Sequence, residues 1–297
     1  MKRALMLITS LAVLVAVLAV GLLFAYVHVA ERPSNARNWA PDQRVLPHAV
    51  FGGNSVTIHN VRNFVYRTAS DYDERRETRT YDLNKLDKAW FIVERFGAEP
   101  VTAPGIAHTF MTFGFGGDHV AVSIEIRKEE GERFSALQGL LRQYELMYVI
   151  ADERDVIGLR TNIRRDPVYM YPVTATPEQL RKLFVDMLLR ANSIERKPEF
   201  YNTLTNNCTT SIVDHVNTIA PLIPFSYRIV LPAFSDELAY DLGLIPADRP
   251  FDAVRAAHRI DLEAQKHPVD DGYSQRIRQA FSVPNPSSRI SPTITSK

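Results

Sequence analysis

Cys208 is the only cysteine among 297 residues, so it has no partner for an intramolecular disulfide. It stands in Tyr201-Asn202-Thr203-Leu204-Thr205-Asn206-Asn207-Cys208-Thr209-Thr210, and the apolar-periodic stretch Ser211-Ile212-Val213-Asp214-His215-Val216-Asn217 follows. This pattern predicts a helix that begins at the sulfur. Free backbone N–H groups and the positive end of the helix dipole favour a thiolate there. A thiolate is the nucleophile of covalent catalysis. The plain alternative is a small buried hydrophobe.

A cysteine nucleophile needs a base, and the chain has eight histidines. His215 lies two helical turns beyond Cys208 on the same face, out of reach of the sulfur, and reads as a packed or surface residue. His108 is the better candidate. It sits in Gly105-Ile106-Ala107-His108-Thr109-Phe110-Met111-Thr112-Phe113-Gly114, an apolar strand in which each ring nitrogen needs a partner. Gly116-Gly117-Asp118 joins the strand-like runs 107–115 and 119–127 as a hairpin. With Gly116-Gly117 as a two-residue turn, His108 faces Glu125 across the pair. Glu125 would then orient the imidazole as a third member. A three-residue loop would shift the register by one and remove that pair. Ser123 is the substitute on the same face, and Glu125 would instead meet Arg127 or another base.

Other chemistry finds little support. There is no Gly-rich phosphate loop, Cys-x-x-Cys, His-Glu-x-x-His or Gly-x-Ser-x-Gly, so neither a metal nor a cofactor is expected. Asp71, Asp73, Glu74 and Glu77 alternate with Arg75, Arg76 and Arg79 and read as a solvated polar segment.

The elements that must position these residues are mixed. Residues 89–96, 144–151, 156–161 and 168–173 read as strands, and 134–142 as a short amphipathic helix. Thr176-Pro177-Glu178 is a helix start, with Thr176 as N-cap and Pro177 at the first helical position. That helix carries Leu180, Leu183, Phe184, Met187, Leu188 and Ala191 at helical spacing. After Pro224 the chain reads as helical over 233–242, 253–265 and 274–281. Clustered strands followed by clustered helices predict an α+β fold.

Lys2 and Arg3 precede an apolar run over 4–30, longer than the roughly 20 residues a spanning helix needs, and no cleavage site clearly ends it. We expect an uncleaved single-pass anchor in the cytoplasmic (inner) membrane with the rest of the chain outside, in the periplasm or at the cell exterior. Residues 31–50, with Pro33, Pro41 and Pro47, read as a linker. Residues 51–283 form the expected extracytoplasmic domain, and 284–297 the expected disordered tail. With 35 basic against 34 acidic residues, the chain is not expected to bind nucleic acid.

Six ordered motifs carry a resemblance: Tyr81-Asp82-Leu83, Ala107-His108-Thr109-Phe110, Ser123-Ile124-Glu125-Ile126-Arg127-Lys128-Glu129, Arg142-Gln143-Tyr144-Glu145, Asp152-Glu153-Arg154-Asp155 and Thr205-Asn206-Asn207-Cys208-Thr209-Thr210. Over most of 60–240 the chain resembles the DUF4105 family, whose members share the N-terminal extracytoplasmic domain of the bacterial lipoprotein intramolecular transacylase. The resemblance implies a permuted papain-like (NlpC/P60-related) fold, with Cys208 as nucleophile and His108 as base. It implies acyl transfer through a Cys208 thioester on a lipoprotein or lipid. Asn207 and Thr209 flank the sulfur as the expected substrate contacts, and a backbone N–H near Cys208 and Thr209 would stabilise the oxyanion. The transacylase has further transmembrane segments, whereas this chain has one apolar run, so the fold and the Cys/His chemistry carry over more directly than the substrate. A thiol amidase or peptidase acting on cell-wall peptide, and a non-catalytic envelope protein, are the competing readings.

Overall fold

The computed structural model describes residues 2–30, 32–97 and 105–281; the expected tail at 284–297 lies outside them. Helix α1 (Lys2–Ala30) comes first. Counted over the described residues, no helix is long and apolar enough to cross a membrane.

The stretch expected to be a linker is tied to the domain. The Ser34 N–H donates to Glu145 at 3.0 Å, Arg37 pairs with Glu129 and Glu145, and the Arg127 guanidinium lies 4.1 Å over the Trp39 ring.

Strands β1 (His48–Gly52), β2 (Ser55–Arg62), the short β3 (Val65–Tyr66) and β4 (Tyr72–Asp73), and β5 (Arg76–Asp82) follow. β2 lies between β1 and β5, antiparallel to both. The acidic residues read as a solvated segment fall here and make surface ion pairs, such as Arg67 with Asp71 and Arg76 with Glu74. Next come β6 (Leu86–Arg95), β7 (Ala107–Phe115), β8 (Asp118–Arg127), α2 (Ala136–Leu140), β9 (Glu145–Ala151), α3 (Glu153–Gly158) and β10 (Val168–Pro172). The order β9-β8-β7-β6-β10 is an antiparallel sheet. A single parallel bridge, Arg62 to Ala151, joins β2 to it.

Helices cover both faces of this sheet. On one, α4 (Pro177–Arg196) and α5 (Cys208–Val216) pack on Phe91, Met111, Phe113, Ile124, Leu146 and Tyr148. The short α6 (Tyr227–Val230), α7 (Ser235–Asp241) and α8 (Phe251–Ala257) extend the helical part. On the other, α3, α9 (Asp261–Ala264) and α10 (Tyr273–Ile277) cover Trp90, Ile92, Phe110, Met147 and Val149. Because successive strand residues point to opposite faces, β9 contributes to both cores and all seven of its residues are buried. The fold is α+β, as expected.

Residues 156–161, expected as a strand, are helical: α3 runs on into a π-helical stretch, Leu159–Arg164. An apolar run this short fits either state. Here Asp152 caps the helix by accepting from the Arg154 N–H. Asp155, in its first turn, is fully buried, pairs with Arg62 at 2.8 Å and accepts from the Phe64 N–H at 2.7 Å. The expected helix over 253–265 is broken instead, where Arg259 bridges to Tyr169 and the Ile260 N–H donates to the Val168 carbonyl.

Removing one partner of a buried ion pair strands the other without water. Asp155→Ala is therefore expected to cost about 3–5 kcal/mol in urea unfolding, and Arg62→Met/Asp155→Leu much less; equal losses in both would show that the pair does not hold α3.

Candidate active site

β7 and β8 hold the register expected from a two-residue turn, from Phe115 opposite Asp118 to Phe110 opposite Ser123. Gly116 supplies the positive φ, 74°, that the turn requires. There the pairing between the two strands stops. β7 continues to Ala107 against β6 alone, and β8 to Arg127 against β9 alone. A cleft of about 160 Å³ lies at this parting, and Ala107, His108, Ile124, Glu125, Tyr201 and Cys208 are among its lining. Asp42 and Gln43, from the stretch before β1, line it too.

Cys208 is the first residue of α5. Asn207 caps the helix: its side chain accepts from the Thr210 N–H at 2.8 Å, and the Thr210 hydroxyl accepts from the Asn207 N–H at 2.7 Å. The Asn207 amide also donates to the Thr203 carbonyl at 2.7 Å, so this carboxamide is committed to the turn that presents the sulfur. The thiol is buried, and burial pushes its pKa up; N–H and hydroxyl groups of Thr109 and Thr209 pull the other way. Burial thus opposes the helix start in setting how readily the thiol ionises. Thr209 is buried, with its hydroxyl 2.9 Å from that of Thr109.

His108 lies on the other face of β7. Thr109 meets α5, so its neighbours His108 and Phe110 point away from that helix, where Arg160 stacks over the Phe110 ring at 5.0 Å. His108 Nε2 is 2.7 Å from Ser123 Oγ, and the Ser123 hydroxyl donates to Glu125 Oε1 at 2.9 Å. Glu125 itself is 3.6 Å from Nε2. The serine therefore stands between the two residues expected to touch. Its one hydrogen goes to Glu125, so Nε2 carries the imidazole proton and Nδ1 keeps its lone pair. Arg160 donates to both Glu125 and Glu94, at 3.1 and 2.6 Å. Arg160 with His108 holds the Glu125 carboxyl well below the usual carboxylate range against burial. Burial pushes His108 down to about 4; Glu125 opposes this and Arg160 adds to it.

The structure thus brings Cys208, His108 and Glu125 to one cleft, with the sulfur and the imidazole approaching from opposite faces of the sheet. No hydrogen bond joins them; the Thr209 hydroxyl lies 3.9 Å from the sulfur. His215 is buried between Asp186, at 2.6 Å, and Tyr148, at 2.7 Å, and fastens the far end of α5 to α4 and β9. The sequence reading missed Arg160, Glu94 and Thr109. Arg160 lies in the segment misread as a strand, and Glu94 ends a strand that reads as apolar.

A second cavity lies under α5. It measures about 240 Å³, and Phe91, Met111, Leu183, Thr209, Ile212 and Leu238 are among its almost wholly apolar lining. Thr209 lines this cavity while Cys208, one residue earlier, lines the charged cleft. Among the described residues no group of His, Cys, Asp and Glu is placed to hold a metal ion.

The sequence profile of the Lnb N-terminal periplasmic domain matches residues 72–233, more than half of the chain and inclusive of Cys208, His108 and Glu125. No curated protein and no solved structure matches it.

A histidine with a depressed pKa binds its proton more readily in the unfolded chain, so stability falls as pH drops from about 6.5 towards 4. His108→Gln should narrow the difference in unfolding midpoint between pH 7 and pH 4.5. An unchanged difference would mean that His108 titrates alike in both states.

Proposed function

Because the chain belongs to the family of the Lnb N-terminal periplasmic domain, we propose that it is a membrane-anchored, cysteine-dependent acyltransferase acting on bacterial lipoproteins or lipids, built on a permuted papain-like arrangement in which histidine precedes cysteine. The observation that carries this reading is a cysteine at a capped helix start sharing a cleft with a histidine whose free nitrogen is set by Ser123 and Glu125.

In the proposed reaction the sulfur attacks an ester carbonyl while His108 Nδ1 takes the thiol proton. The alcohol leaves with that proton and a Cys208 thioester remains. An amine then attacks the thioester, its proton passes by way of His108 to the departing sulfur, and an amide and the free thiol remain. N–H groups at the start of α5 are the candidate oxyanion donors. The two groups must first close, and the parting of β7 and β8 leaves room for that. The apolar cavity lined by Thr209, the residue after Cys208, has the chemistry of a site for an acyl chain. The charged lining of the Cys208 cleft favours the second reading, a thiol hydrolase acting on peptide.

The anchor belongs to this proposal. The described large apolar side chains of α1 from Met6 to Leu22 are 55–71% exposed, with no part of the domain against them. The family is that of a periplasmic domain, which fits an N-in anchor.

The decisive measurement is the intact mass of the chain purified from its own membranes, before and after hydroxylamine. A hydroxylamine-labile fatty-acyl increment on Cys208, absent in His108→Ala, is expected. A bare but alkylatable thiol in both would favour hydrolysis, and an unreactive thiol a non-catalytic role.

A further inference from the structure

We propose that the mouth of the Cys208 cleft is a membrane-facing surface whose two apolar lips rest on the phospholipid bilayer. The inference rests on the preceding reading for the anchor and is independent of the chemistry at Cys208.

The first argument is where α1 joins the domain. Ser34, four residues past the end of α1, donates to Glu145 at 3.0 Å. Four residues span at most about 14 Å. Glu145 pairs with Arg127 across β9 and β8, and Glu125, in the cleft, lies two residues back along β8, about 7 Å. The chain therefore enters the domain at the end of the sheet where β7 and β8 part. It runs on past the cleft itself, which Asp42 and Gln43 help to line. A bilayer that holds α1 cannot lie far from this mouth.

The second argument is what surrounds the mouth. On one side, Leu231 packs beside Gly105, and the Ala233 N–H donates to the Gly105 carbonyl at 3.4 Å. This places α6 next to the start of β7, where Ile106, Tyr227 and Leu231 are exposed; Tyr227 is 63% exposed. On the other side, the Thr203 hydroxyl donates to the Ala136 carbonyl at 2.7 Å, joining α2 to the loop before Cys208. That lip exposes Phe134, Leu137 and Leu204; Leu137 is 65% exposed and Phe134 also lines the cleft. Large apolar side chains flanking one opening mark an interaction surface, and the short tether to α1 selects a bilayer as its occupant.

The test uses the full chain in a Cys208→Ser background, with Leu137→Cys or Tyr227→Cys carrying an environment-sensitive fluorophore. Gly117→Cys, in the β7–β8 turn at the opposite end of the sheet, is the reference; a Cβ there meets nothing within 4 Å. In phosphatidylethanolamine–phosphatidylglycerol vesicles we expect the chain to float with the lipid. Positions 137 and 227 should shift to the blue and be quenched by lipids spin-labelled near the headgroup, while position 117 stays water-like. Water-like signals at all three positions in a floating protein would overturn the proposal, as would failure to float. So would shielding of 137 and 227 in detergent that grows with protein concentration, which would assign the lips to a second copy. Because the Cys208→Ser chain is inactive by design, these outcomes are separate from those of the acylation experiment.

Discussion

The structure turns on the place where β7 and β8 stop pairing. A continuous antiparallel ladder would separate its two faces completely, with α5 on one and Arg160 on the other. Past Phe110 and Ser123 each strand keeps its outer neighbour and loses the inner one. That parting lets a sulfur from the α5 face and an imidazole from the opposite face share one cleft. The outer pairings keep it from collapsing: Glu94 pairs with His108 on β6, and Met147 with Glu125 on β9.

An arrangement of buried charges holds the His108 side. Glu125 is buried beside a second carboxylate, Glu94, and burial alone would push it towards the neutral form. Arg160 lies between them and donates to both, which keeps Glu125 a carboxylate. A carboxylate only accepts, so Ser123 must donate to it and can only accept from His108. The tautomer of His108 is thus set by an arginine that does not touch it. The capacity of Arg160 to do this depends on the turn of helix that carries it, which Asp152 caps and the Asp155–Arg62 pair secures. This gives a physical role to the run Asp152-Glu153-Arg154-Asp155, which lies well away from the sulfur in sequence.

Local chemistry in the sequence was legible where it is decided within a few residues. The Gly116-Gly117 turn, the Thr176 N-cap and the helix start at Cys208 are all of this kind. What was not legible depends on distant partners. β5 buries only Tyr81 and carries charged residues at four of its seven positions, so it reads as loop; its strand state comes from pairing with β2. The run Val156-Ile157-Gly158-Leu159 is apolar enough for either state, and a buried ion pair to β2 decides it. The face on which α5 docks is likewise a tertiary matter. Sequence placed His108 and Glu125 together through the hairpin, yet nothing in it said that Cys208 would come from the other side or that Ser123 would stand between them.

This geometry constrains how the thiol can be activated. Cys208 lies above the ordinary thiol value of 9.0 because it is buried, and His108 near 4 for the same reason. Burial therefore adds a cost to moving the proton from sulfur to imidazole, because both products are charged. Burial thus disfavours a preformed thiolate–imidazolium pair in the resting site. The same cost protects the sulfur: the thiol reacts far more slowly than the thiolate with oxidants, and a lone cysteine outside the cytoplasm has no second thiol in its own chain to restore it. Burial, which opposes ionisation on both sides of the sheet, thus fits the proposed reaction, in which the sulfur would ionise as a substrate carbonyl comes into place.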